Sequence, residues 1–282
     1  MDAKPFPTLR CELALTDAEL RVAVRHGTLV RLASGLYVDG PGYRGLDGDQ
    51  QYLVRVRGLS RRVPDLFVSH QSAAALHRLP LYGNDSVLVH LTRPGRGGAR
   101  RDAVRQVHAA NLPRELCARV EGVPVTTVAR TVVDVARSGN EAAAIAVADG
   151  ALHRGLIESA QIALALDVAK HQPGHARCLR LLRRADGRAE SVGETFLRIV
   201  LDRPGLPPLD LQIEVRDEGG ALVGRADGGY LDCGVLLEFD GKIKYESLLR
   251  PGESASDAVV REKQREEALT ALGWLGRPRH LG

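Results

Sequence analysis

The sequence predicts a multidomain α/β chain: a small N-terminal winged helix-turn-helix, a middle region of strands and helices, and a C-terminal α/β domain whose strands carry acids. Three observations support this. The 282 residues suffice for two or three domains of ordinary size. A hydrophobic content of 44% with only 4% aromatic residues gives cores packed mainly from Leu, Val and Ala. The charge is split along the chain: residues 1–186 hold 26 Lys and Arg against 18 Asp and Glu, and residues 187–282 hold 13 against 17. A basic front and an acidic rear suit a protein that grips a polyanion with one part and does metal chemistry with the other.

Composition also limits the function classes. No apolar run approaches the ~20 residues needed to span a bilayer, and the start lacks a charged-then-apolar signal segment, so a cytoplasmic protein without a membrane role is expected. Cys11, Cys117, Cys178 and Cys233 are scattered without CxxC spacing, and few histidines are placed to complete a zinc site. They read as buried free thiols.

Residues 1–60 are read as the winged module. Thr8 is placed to cap a short helix through Leu13, and Thr16 caps a second that carries Leu20, Val22, Ala23 and Val24 and ends at Gly27. A hairpin follows, Leu29 to Leu32 and Leu36 to Val38, joined by Ala33-Ser-Gly35. Arg25 at the helix end and Arg31 on the wing are the candidate phosphate contacts. A small interaction module without a DNA role is the alternative. The run Leu15-Thr-Asp-Ala-Glu-Leu20 and the segment Gly27-Thr-Leu-Val-Arg-Leu-Ala-Ser-Gly-Leu-Tyr37 resemble the winged-helix domain that opens the AbiEi family of type IV antitoxins. That resemblance implies DNA as a partner and leaves any toxin or operon partner open.

Residues 61–186 form the middle region. Ser69 is placed to cap a helix packed through Ala73 and Leu76. Strands near Val87 to Leu91 and near Val107 flank a basic loop, Arg93 to Arg101, which has no aromatic to stack a base. Thr126 to Ala136 opens a helix that also resembles the corresponding region of AbiEi-like proteins. Its Arg130 and Asp134, four apart on one face, are read either as an ion pair or as site residues. Helical patterns continue through 141–152, 157–166 and 175–184, and Asp186-Gly187 breaks the last.

Residues 187–282 carry the chemistry. Val235 to Asp240 reads as a buried strand on which Glu238 and Asp240 share a face, and Ala221 to Tyr230 as a partner strand bearing Asp227. A tight turn at Leu231 to Gly234 would pair the two antiparallel and bring Asp227 near Glu238. Carboxylates gathered so closely repel unless a cation neutralises them. Oxygen ligands suit Mg2+ or Mn2+, which can activate a water against a phosphodiester. Lys242 and Lys244 follow on the same strand end. A hairpin whose acids sit in solvent is the alternative.

The order helix 191–201, strands 209–215, 221–230 and 234–240, helix 255–272 resembles the endonuclease domains related to very-short-patch repair nucleases. These belong to the PD-(D/E)XK restriction-endonuclease superfamily, with an α/β/α fold. The motifs are Glu190-Ser-Val-Gly-Glu-Thr-Phe-Leu-Arg198, Gly224-Arg-Ala-Asp227, Glu238-Phe-Asp-Gly241 and Glu262-Lys-Gln-Arg-Glu-Glu-Ala-Leu269. The resemblance implies a DNA endonuclease or nickase in which Glu194, Asp227 and Glu238 bind the metal. Asp240 stands where the superfamily's lysine is usual, and Lys244 is the candidate substitute. Ser191 and Glu194 also match a helix capping box. After the second helix, Gly273 to Gly282 holds Pro278 and three glycines, so the closing strand is expected to be missing. The rival expectation is a non-enzymatic DNA-binding regulator of the antitoxin class with a degenerate nuclease domain.

Overall fold

The computed structural model describes residues 9–10, 15–81, 88–95, 97–239 and 267–279. The chain divides into two compact units, Met1–Ala185 and Asp186–Gly282, each mixing helices with strands. Among the described residues no helix is long and apolar enough to cross a membrane.

The first unit opens with β1 (Leu9–Arg10), α1 (Asp17–Arg25), β2 (Leu29–Ala33) and β3 (Leu36–Asp39). Thr16 caps α1 with a complete capping box: Glu19 N–H donates to Thr16 Oγ1 at 3.3 Å, and Thr16 N–H donates to Glu19 Oε2 at 2.7 Å. β2 and β3 form the antiparallel hairpin, turned through Gly35 at φ 63°. Ahead of it the expected helix through Leu13 is corrected. Leu9–Arg10 is a strand, because β3 offers a free edge and pairs Leu9 with Val38.

α2 (Gly40–Arg44) and α3 (Gly48–Arg61) follow, the latter capped by Asp47 and Gln50. A six-stranded sheet has the order β6-β7-β5-β4-β9-β8. It comprises β4 (Phe67–Val68), β5 (Val89–Pro94), β6 (Arg100–Arg101), β7 (Arg105–Ala110), β8 (Cys117–Val120) and β9 (Val123–Thr126). Around it lie α4 (His70–Leu76), α5 (Val128–Ser138), α6 (Glu141–His153), α7 (Ser159–Val168) and α8 (His175–Leu182). One apolar core joins Leu36 and Val38 of the hairpin, Tyr52 and Val56 of α3, and Val68, Leu91 and Val125 of the sheet. Each such side chain contributes about 1.5–3 kcal/mol by leaving water. The hairpin, α3 and the sheet therefore stabilise one another as parts of a single unit.

The second unit contains α9 (Val192–Leu201), β10 (Asp210–Arg216), β11 (Leu222–Tyr230), β12 (Val235–Phe239) and β13 (Leu275–Arg279) in the sheet order β10-β11-β12-β13. The first three strands are an antiparallel meander. β13 lies parallel to β12, pairing Val235 with Leu275 and Glu238 with Pro278. The strand expected to be missing is thus present. Its proline is tolerated because β13 is the sheet edge, where one row of backbone groups needs no strand partner. Residues 267–271 are helical, and the earlier part of the expected 255–272 helix lies outside the described residues. Leu269 packs with Ile213, Val215, Ala226 and Leu236. Leu197 and Leu201 of α9 pack in a second cluster with Leu209, Leu211 and Leu237.

Gly193 lets α9 approach β12: a Cβ built there would lie 2.0 Å from Cδ1 of Phe239. Gly193→Ala is therefore expected to lower the stability of this unit by about 1–3 kcal/mol through overpacking. A urea midpoint equal to that of the parent would refute the close approach.

Candidate functional site

The predicted acid site begins on α9. Ser191 caps the helix, accepting from Glu194 N–H at 3.2 Å, and donates its hydroxyl to Glu194 Oε1 at 2.7 Å. Glu194 is 3% exposed. Its Oε2 accepts from Glu190 N–H at 2.9 Å and from Gln212 Nε2 at 2.6 Å. Of the foreseen capping box only half forms, because Glu194 bonds back to the Ser191 hydroxyl and the Glu190 N–H and not to the Ser191 N–H; both of its oxygens have protein donors.

Asp227 lies on β11, and its Oδ2 accepts the Phe239 N–H at 2.7 Å. The β11–β12 pairing runs from Tyr230 with Val235 to Gly228 with Leu237, and Asp227 lies one residue beyond its last pair, where its carboxylate meets β12 at the Phe239 N–H. Among the described residues, no group of three ligand atoms within 4.8 Å of one another includes Glu194, Asp227 and Glu238. Asp240, Lys242 and Lys244 lie outside the described residues.

The sequence reading missed Gln212, which links Glu194 to the strands. It has φ 54°, a left-handed backbone rare for a non-glycine, and its Oε1 is buried without a hydrogen-bond partner among the described residues. An acceptor oxygen left bare costs roughly 1–3 kcal/mol.

On the first unit, Arg25 in the last turn of α1 and Arg31 on β2 are both exposed. Arg31 Nε donates to Ala33 O at 3.4 Å. Of the thiols, Cys178 is buried, Cys117 is half-buried, and Cys233 is exposed, contrary to the expectation for it; Cys11 lies outside the described residues. Burial pushes the Cys178 thiol up to about 11.

A partly buried polar cluster was also missed. Parallel pairing of β5 with β7 sets Thr92 opposite His108 and His90 opposite Gln106. Strand alternation then puts His90, Thr92 and His108 on one face of the sheet, away from the apolar Val89, Leu91 and Val107. His70, the first residue of α4, stacks on His108 with ring centroids 3.8 Å apart. His90 Nδ1 lies 3.1 Å from His108 Nε2. One ring nitrogen from each of the three lies within 4.8 Å of the other two.

Ser69 precedes α4, but its hydroxyl makes no cap bond. It meets His70 Nδ1 at 2.9 Å and accepts from Thr92 Oγ1 at 2.8 Å. Burial, with the neighbouring imidazoles adding to it, holds the pKa of His70 well below the ordinary value and that of His90 at about 4. Burial also lowers His108, opposed by the Asp134 carboxylate. All three imidazoles are thus neutral near pH 7.

Behind the cluster, Arg130 and Asp134 form an ion pair at 2.9 Å, with both side chains 1% exposed. Arg130 Nη1 also donates to Asn111 O at 3.0 Å, and Arg137 Nη1 donates to Asp134 Oδ1 at 3.2 Å. Of the two readings of Arg130 and Asp134, the ion pair is the one observed.

These features define a mixed α/β chain with an acid-bearing sheet in one unit and a partly buried histidine cluster in the other. No family model matches the chain. It is 30% identical over 264 residues to two proteins of Mycobacterium tuberculosis, "Uncharacterized protein MT2308" of strain CDC 1551 / Oshkosh and "Uncharacterized protein Rv2248" of strain ATCC 25618 / H37Rv. Each match takes in 92% of this chain and 88% of the relative. The chain belongs to the family of these two mycobacterial proteins. Among solved structures, the crystal structure of RV2827C protein from Mycobacterium tuberculosis is similar at a TM-score of 0.40 and 17% identity, over 59% of this chain and 64% of that one.

Proposed function

We propose that the chain is a DNA endonuclease or nickase, with Mg2+ or Mn2+ held in the second unit by Asp227 and Glu238. The observation that carries this reading is the end of the β11–β12 pairing, where Asp227, next to the last paired residue Gly228, reaches the Phe239 N–H beside Glu238. Support comes from the bare Gln212 Oε1, an oxygen donor of the kind a hard cation takes, and from β13, which supplies the closing strand that a nuclease domain of this type needs. A bound ion would supply a polarised water and charge stabilisation at the phosphate. Glu194, through Gln212, positions β10 beside Asp227, and Asp227 fixes the end of β12 through the Phe239 N–H. Supercoiled plasmid incubated with the protein and Mn2+ is expected to become nicked or linear, and no conversion at any metal concentration would end this reading.

DNA is held by the first unit in this proposal, through Arg25 and Arg31. With around three phosphates contacted, log affinity should fall against log salt with a slope of roughly −3. Arg25→Ala and Arg31→Ala should each reduce the slope by about 1. A salt-independent affinity in fluorescence anisotropy would exclude the contact. A second reading, a DNA-binding regulator, is favoured by one observation: Glu194 and Asp227 already spend carboxylate oxygens on internal hydrogen bonds. It predicts the same salt slope without cleavage.

A further inference from the structure

We propose that His70, His90 and His108 bind one Zn2+ ion in the first unit, separate from the acid site, with Ser69 orienting the His70 ring. Imidazole nitrogen is a preferred donor for zinc, and three histidines are a complete protein ligand set for a site that keeps a further position for water. In a tetrahedral site with zinc–nitrogen bonds of ~2.0–2.1 Å, ligand nitrogens stand roughly 3.3–3.4 Å apart. His90 Nδ1 and His108 Nε2, which share a hydrogen bond at 3.1 Å, are near that separation, and the rings of His70 and His90, stacked within 16° of parallel on His108, would turn to aim their lone pairs at one ion. His70 Nδ1 is occupied by Ser69, which leaves Nε2 as its ligand atom.

The surroundings follow the pattern of a supported metal ligand. A ligating histidine gives its other ring N–H to an acceptor that fixes its tautomer. Ser69 Oγ provides that acceptor and is itself held by the Thr92 hydroxyl, which rises from the same sheet face as His90 and His108. This also accounts for the cap that Ser69 does not make. His70 is in the left-handed region at φ 52°, a conformation that costs a non-glycine residue energy and that collects at functional sites. It is what turns the ring from the start of α4 onto His108. The buried Asp134 carboxylate, whose field reaches His108, outweighs the positive field of Arg137 there. His90 and His108 are only partly buried, so an ion and a water can reach the cluster from solvent.

The test uses the full chain, stripped with a chelator and reloaded with zinc chloride, with bound zinc measured by competition against a chromogenic chelator. One equivalent is expected in the parent and in Asp227→Ala, which separates this site from the proposed nuclease centre. His90→Gln with His108→Gln should abolish it. Ser69→Ala should weaken it by roughly 10–100-fold, as loss of an outer partner does. X-ray absorption of the zinc-loaded parent should show imidazole nitrogens at ~2.0–2.1 Å and no sulfur, and this readout does not depend on any variant folding. Zinc bound equally by the double variant, a zinc–sulfur distance near ~2.3 Å, or a parent that retains no zinc would each overturn the proposal.

Discussion

Arg130→Ala is expected to lower the stability of the first unit by about 3–5 kcal/mol, the range for removing one partner of a buried ion pair. Among the described residues the Asp134 carboxylate would keep Arg137 alone as an ion partner, at 3.2 Å, in a place where it is 1% exposed. Arg137 is a weaker replacement, because its Nε and Nη2 are committed to Pro173 O. The loss reflects a stranded charge more than the intrinsic strength of the pair. Arg130→Met combined with Asp134→Leu should therefore recover most of it, since a buried pair replaced by apolar groups of similar volume is often neutral. Urea melts of the singles and the double give the coupling directly. A loss below about 1 kcal/mol for Arg130→Ala would mean that water reaches the pair.

The same helix shows what could be read in advance. Arg130 and Asp134 are four apart, so helical geometry alone pairs them, but only the fold decides that they are buried. Local signals of this kind survived: Thr16 with Glu19, Ser191 before α9, and the turn at Gly35 all act within a few residues. α3 shows how such a signal can compete with another. Its buried Tyr52, Val54 and Val56 alternate as a strand would, and the helix is marked mainly by the Asp47 and Gln50 capping box. β13 was illegible for a different reason. Its glycine and proline oppose a strand locally, and parallel pairing along the edge of β12 outweighs them.

The candidate site divides in the same way. The antiparallel pairing of the strands that carry Asp227 and Glu238 could be read because a short connection fixes register from sequence spacing alone. The histidine cluster could not, since His70, His90 and His108 belong to three elements brought together by a parallel pairing that local spacing does not encode. Gln212 was equally hidden. Its left-handed backbone and its bond to Glu194 depend on how α9 packs against the sheet, and a lone glutamine in a strand gives no chemical warning.

Asp227→Asn is expected to reduce plasmid cleavage on the order of 10³-fold while leaving the fold and DNA affinity near those of the parent. Asparagine keeps an oxygen where Asp227 Oδ2 accepts the Phe239 N–H, so the end of β12 stays anchored while the charge is removed. Asp227→Ala is the harsher change. It leaves that N–H without its carboxylate partner, and a hydrogen bond to a charged group is worth about 1.5–3 kcal/mol. Metal dependence separates the chemical role from the structural one. At a free Mn2+ of 100 times Kd the parent should gain about 2.7 kcal/mol by mass action, and Asp227→Asn and Glu238→Gln should gain far less. Thermal melts with and without Mn2+, run beside the cleavage assay, give both quantities on the same samples. Equal metal stabilisation of parent and variants, with no cleavage by any of them, would leave Asp227 as an anchor for β12 and favour the regulator reading. Cleavage that persists in Asp227→Asn would place the catalytic metal on other residues.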